Sequence, residues 1–207
     1  RHMESRYFPT FLAVTWCTAL AGICFAAPQE DSRPDSAARQ YSAAAGLLNR
    51  GLYEQAAAEY QKFLAVDPEN KNVPLAHYGL AVCHYRLGKF QSAVDELERI
   101  AKDDSFQFAA EVACMLGRCQ LALRQFEPAV KSFDRVVKHW PDHALAADAA
   151  AGAVEALMGA GEHKTALKQA EQFAAKWKDS PLKWRVETYA AMSEMELARD
   201  LAAARRF

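Results

Sequence analysis

Leu87-Gly88-Lys89-Phe90-Gln91-Ser92-Ala93 is the stretch on which the reading of this chain turns. Its arrangement returns as Arg50-Gly51-Leu52-Tyr53-Glu54-Gln55-Ala56, Leu123-Arg124-Gln125-Phe126-Glu127-Pro128-Ala129 and Ala160-Gly161-Glu162-His163-Lys164-Thr165-Ala166. The closing alanines recur at intervals of 37, 36 and 37 residues. Alanine-rich helices resemble one another by chance, but chance does not keep a turn residue, an aromatic and an alanine in register; a repeated supersecondary unit does. Each copy is preceded by a helical stretch and followed by an amphipathic one that ends at a breaker, most clearly Asp67-Pro68, Trp140-Pro141 and Ser180-Pro181. A helical hairpin with one apolar stripe cannot bury that stripe alone, so successive hairpins must stack and share a continuous core. The expected fold is all-α: a right-handed superhelical solenoid of antiparallel helix-turn-helix repeats, about four of them, with a terminal helix.

Reading outward from the four matches, the turn position holds Gly51, Gly88, Arg124 and Gly161, and the aromatic position Tyr53, Phe90, Phe126 and His163. The large residue four after the alanine is Tyr60, Leu97, Phe133 or Ala170, and the next core position is Phe63, Ile100, Val136 or Phe173. Upstream, a Leu-Gly step survives as Leu80-Ala81 and Leu116-Gly117. These positions resemble the tetratricopeptide repeat family. The resemblance places units at about 37–70, 74–107, 110–144 and 147–180, with a partial fifth at 181–207 whose segment 199–204 reads as a degenerate turn and second arm. The spacing exceeds the family's repeat of about 34 residues, the extra length lying at the joints. With Lys138–His143 and Lys178–Leu182 there, the chain resembles the longer repeats of bacterial periplasmic and outer-membrane-associated members.

The first residues differ from the rest. Arg1-His2 ahead of Met3 reads as a vector remnant, and residues 3–27 have the form of a signal peptide: basic Arg6, no charge from Tyr7 to Ala27, and Cys24-Phe25-Ala26 as a cleavage site. Residues 28–36 then form a polar linker. Export to a bacterial periplasm is the expectation, with an uncleaved anchor as the alternative, because the uncharged run nearly reaches the ~20 residues that span a bilayer. A lipid anchor needs a small residue before its cysteine, and Ile23 and Trp16 stand there instead.

Twenty-five basic against 26 acidic residues leave a net charge of −1, which gives no electrostatic footprint for nucleic acid or an anionic membrane. Beyond the leader lie three cysteines, Cys83, Cys114 and Cys119. An odd number argues against a disulfide framework, and all three read as small buried residues; a bridge between Cys83 and Cys119, which occupy equivalent repeat positions, is the exception left open. His77 and His84 share a helix, and His139 and His143 flank Trp140-Pro141, without a metal-ligand spacing. There is no Gly-rich phosphate loop and no nucleophile-base arrangement, so neither cofactor nor enzymatic activity is expected.

In the family resembled, the first arms line a concave groove with residues at fixed offsets. Carried over, those are Tyr41, Leu48 and Asn49; Tyr78, Val82, Tyr85 and Arg86; Glu111, Cys114, Arg118 and Leu121; Asp148, Glu155 and Met158. Tyrosines and arginines on one face suit an interaction hot spot, and a tyrosine there also serves as packing. The positions where chaperone-binding members grip a peptide's terminal carboxylate hold Tyr41, Ala45 and Val82, so that clamp is absent. The expected role is a scaffold that binds a protein, peptide or helix. The rival reading is the N-terminal part of a longer structural solenoid, whose last helix stacks on further repeats or on another copy, because Trp184, Tyr189, Met192, Met195 and Leu197 give that helix no polar cap.

Overall fold

The computed structural model describes residues 33–204. The signal-peptide and cleavage-site readings and the start of the linker lie outside the described residues. Among those residues the chain runs through α1 (Arg33–Asn49), α2 (Tyr53–Val66), α3 (Val73–Arg86), α4 (Phe90–Ile100), α5 (Ala109–Ala122), α6 (Phe126–His139), α7 (Ala146–Gly159), α8 (His163–Lys176) and α9 (Lys183–Ala204). Odd-numbered helices are first arms and even-numbered helices second arms. Each packs on its neighbours in sequence, and first arms also touch one another, α5 on α7 and α7 on α9. No described helix is long and apolar enough to cross a membrane.

The turn inside each hairpin needs one residue in the left-handed region. Gly51, Gly88 and Gly161 supply it with φ of 74°, 72° and 79°, and Arg124 adopts the same conformation at 59°. The turns close alike: the N–H groups of Leu52, Lys89, Gln125 and Glu162 reach back to the carbonyls of Leu47, His84, Gln120 and Leu157 at 2.8 to 3.0 Å, the bond that satisfies an orphan carbonyl at a helix end. Arg124 therefore holds a conformation that costs a side-chain-bearing residue about 1–2 kcal/mol. Replacing it with glycine is expected to raise stability by about 0.5–1 kcal/mol, after allowing for glycine's greater freedom when unfolded and for the lost approach of the guanidinium to the Phe126 ring, 5.9 Å from its centroid. Thermal unfolding checks this; a lower midpoint for Arg124→Gly would show that the ring contact outweighs the backbone strain.

Packing between hairpins follows a rule of reciprocal size. The second-arm position held by Tyr60 and Phe133 meets a first-arm glycine of the next repeat, Gly79 and Gly152; in the other two repeats the same register positions are held by Leu97 and Met115 and by Ala170 and Tyr189. A methyl group built on Gly79 would lie 2.4 Å from the Tyr60 ring, and one on Gly152 would lie 2.7 Å from Phe133. Leu97 packs in one cluster with Met115, and Ala170 in one with Tyr189. Phe133 also presses on Gly117 of its own hairpin, where an added methyl would sit 2.7 Å from the ring. Large faces small, medium faces medium, and the interior stays dense.

α5 and α7 begin at Ala109 and Ala146, within a residue of the unit starts read at 110 and 147, after turns over Asp103 to Phe108 and Trp140 to Leu145. A side chain holds each of these joints open from helix by bonding a backbone N–H two residues on: Asn70 to Asn72, Asp103 to Ser105, His143 to Leu145 and Ser180 to Leu182, at 2.9 to 3.2 Å. Several expectations are corrected. The linker ends sooner than residue 36, since α1 starts at Arg33 with Pro34 in a first turn that has no need of its N–H. The segment 199–204 is not a turn and second arm: α9 is continuous from Lys183 to Ala204. The residue in register with Gly161 is Ala198, which has every reason to stay helical. Cys83 and Cys119 are not bridged; both are free and buried, in different core clusters. Burial pushes their thiols up to about 11, which leaves them protonated and unreactive. On the second-arm surfaces Glu96 lies 3.7 Å from Arg99, Gln91 donates to Asp95 at 2.9 Å and, between repeats, Gln169 donates to Asp134 at 3.3 Å.

Candidate functional site

Three successive first arms contribute alternating charge to one face. Glu111 on α5, Asp148 on α7 and Arg185 on α9 share one repeat offset, and Arg118 on α5 and Glu155 on α7 share another. Because first arms stack side by side, unlike charges meet across the boundaries. The Arg118 guanidinium pairs with the Asp148 carboxylate, whose other oxygen lies 3.6 Å from Arg185. The Tyr189 hydroxyl donates to Glu155, and burial, reinforced by that bond, pushes its phenol up to about 12. His143 sits 3.6 Å from Glu111.

These groups rim a cavity of about 360 Å³ lined by Tyr85, Arg118, Leu121, Phe133, Asp148, Gly152, Glu155 and Arg185. Phe133 reaches its floor because Gly152 carries no side chain to cover it. The result is a mainly polar hollow, with donors and acceptors set around Leu121 and the edge of Phe133. An extended peptide presents N–H and C=O groups in alternation, and this rim offers carboxylates for the first and guanidinium groups for the second. A second hollow, about 410 Å³, lies on the other side of the array beside His77, Glu96 and Arg99. There His77 Nδ1 and Glu96 lie 2.6 Å apart and tie α3 to α4, a bond that joins two arms of one hairpin.

Of the residues singled out on the first arms, the cavity collects Tyr85, Arg118, Leu121, Asp148 and Glu155. The others lie apart from it. Tyr41 packs its ring against Tyr60 and Phe63, centroids 6.0 and 5.5 Å away. Tyr78 stacks on Phe108 at 5.2 Å with Phe106 edge-on, and burial raises its phenol. Asn49 and Arg86 are exposed at helix ends, and Glu111 faces His143. Leu48, Val82 and Met158 are half-buried, and Cys114 is buried with its Sγ 3.9 Å from Asp148. Sequence reasoning missed Arg185, Tyr189, Phe133 and Gly152. The signal for Arg185 and Tyr189 was the repeat register itself, which was not carried into α9. Among the described residues, no three His, Cys, Asp or Glu side chains gather as a metal site would require.

The profile of the tetratricopeptide repeat family matches residues 41–108 and 114–181, well over half of the chain. The chain belongs to the tetratricopeptide repeat family. Comparison with curated protein sequences finds no significant match. Among solved structures, the tetratricopeptide repeat chain is similar to YrrB, described as a TPR protein with an unusual peptide-binding site: 19% identity, 77% of this chain against 76% of that one, TM-score 0.64. It is also similar to MamA from Desulfovibrio magneticus RS-1, with 20% identity, 80% of this chain against 97% of that one and a TM-score of 0.60. A third likeness is to MamA of AMB-1, at 16% identity, 82% against 87% coverage and a TM-score of 0.65. At these identities the likeness is one of fold alone, and it agrees with the nine tetratricopeptide-type helices among the described residues.

Proposed function

We propose that this chain is a protein-interaction scaffold without enzymatic activity that holds a peptide segment or helix of a partner on its first-arm face, over the cavity between α3, α5, α7 and α9. The observation that carries the reading is the mixed rim of Arg118, Asp148, Arg185 and Glu155 around Leu121 and the edge of Phe133. Such a rim binds backbone amides of either polarity, while Leu121 and Phe133 meet one apolar side chain. Of the first-arm residues read from the sequence, Tyr85, Arg118, Asp148 and Glu155 form the centre.

Two observations test the proposal. Partner recovered by pull-down at native salt is expected to fall about tenfold or more with Tyr85→Ala combined with Arg118→Ala, since tyrosine and arginine in a pocket of this kind each contribute about 1–2 kcal/mol. Undiminished recovery with both changes, in a protein of unchanged helicity, would remove the groove from consideration. We further propose that the protein works after export, on the strength of the leader pattern at residues 3–27. Mass spectrometry of protein from its native host reads this directly, and a natural N-terminus still at Met3 would exclude cleavage.

A further inference from the structure

The second hairpin encloses an imidazole that the groove does not use. His84, in the last turn of α3, is 9% exposed, and its Nδ1 is buried without a hydrogen-bond partner. Its backbone carbonyl accepts from the Lys89 N–H at 2.9 Å, so the residue stands where α3 is tied to the turn that leads into α4. The same repeat position holds Leu47 in the first hairpin, Gln120 in the third and Leu157 in the fourth. Where the residue is Gln120, the second arm answers it: the Ser132 hydroxyl donates to its Oε1 at 2.7 Å. On α4 the position of Ser132 falls to Glu96, a carboxylate that is engaged elsewhere. Its Oε2 lies 2.6 Å from His77 Nδ1 and 3.7 Å from Arg99 Nε.

We propose that His84 is an acid-sensitive latch, neutral while the hairpin of α3 and α4 is closed and charged when it opens. A neutral imidazole leaves one nitrogen bare, which a packed interior bears more easily than a charge, whereas a protonated one carries N–H on both nitrogens. A proton on Nδ1 then has no acceptor, and the charge stands in buried surroundings; both oppose the closed state. Glu96 and Asp95 on α4 and Lys89 in the turn are the charged groups that act on the ring, and among the described residues α2 and α5 add none. Burial is the largest influence and holds the imidazole below its ordinary value; Glu96 pulls it back up, Lys89 lowers it further and Asp95 raises it. In the opened hairpin a free imidazole titrates near ~6.5. Stability is therefore unaffected above that pH and is lost as pH falls from there through the lower value of the closed hairpin, because opening takes up a proton. His77 keeps Glu96 as its acceptor in either protonation state. Tyr85, the next residue, lines the groove, so acid also loosens one wall of it, a consequence that rests on the function proposed above; the latch itself does not.

Amide hydrogen exchange of the full chain tests the latch, read by mass spectrometry at about pH 7.5 and about pH 5 and corrected for the intrinsic pH dependence of exchange. Protection in α3 and α4 is expected to fall with acid, by up to about tenfold for each pH unit over which opening takes up one proton. His84→Gln, which copies the third hairpin, is expected to remove that fall. Should the glutamine variant lose protection already at the higher pH, His84→Leu, the residue of the first and fourth hairpins at this position, gives the same reading. Protection in α3 and α4 that is equal at the two pH values would overturn the proposal. So would an acid-induced loss that persists in both His84 variants, which would place the sensitive group elsewhere.

Discussion

Phe133→Ala is expected to remove about 3–5 kcal/mol of folding stability, read as a lower midpoint in chemical unfolding. Phe133 is 1% exposed and its ring lies between Gly117 and Gly152. Neither glycine has a side chain that could swing into the space left behind, so the cavity stays open and the loss falls in the upper part of the range for aromatic truncation. In a repeat array each unit is held mainly by its neighbours. The damage is therefore expected to concentrate between the third and fourth hairpins, with amide exchange accelerating in α6 and α7 ahead of α2 and α3. A midpoint shift below about 1 kcal/mol would mean that the ring is not wedged as described.

Gly152→Met is the complementary experiment. A side chain there meets the Phe133 ring at once, as the 2.7 Å approach of a single methyl shows, and overpacking of this kind costs about 1–3 kcal/mol, occasionally more. The chain already accommodates methionine at that register position: in the preceding repeat Met115 lies in one core cluster with Leu97. Introducing Phe133→Leu beside Gly152→Met copies that pair, so the double variant is expected to be more stable than the sum of the two single losses by about 1–3 kcal/mol, the coupling typical of residues in contact. Strict additivity in the unfolding free energies would count against size matching as the principle of assembly.

Much of the fold was legible because the sequence repeats a backbone requirement as well as a composition. The glycines at 51, 88 and 161 mark turns that only a left-handed residue can make, and Arg124 shows that the surrounding hairpin can impose the turn without one. The same logic explains the misreading of α9. A turn was expected near Arg199 by analogy with earlier repeats, whereas Ala198 and its neighbours contain nothing that would break a helix. What periodicity does not reveal at the joints is the local side-chain bonding of Asp103, His143 and Ser180 that shapes their turns. For the candidate site, register alone put Arg118, Asp148 and Glu155 on one face. The pairing of Arg118 with Asp148, and the seating of Phe133 against Gly152, depend on contacts between units and have no signature within one.

The reciprocal sizes at the joints also carry a consequence for assembly. Tyr60 against Gly79 and Phe133 against Gly152, with Leu97 and Met115 and then Ala170 and Tyr189 at the same register positions, make an ordered set of keys along an otherwise self-similar chain. Were a hairpin to stack on the wrong neighbour, Phe133 would meet Tyr189 with no room for both, or Ala170 would face Gly79 across a void. Near-identical units invite such errors during folding. Here the order of the units is written into their volumes, so the array can be built from similar pieces without their being interchangeable.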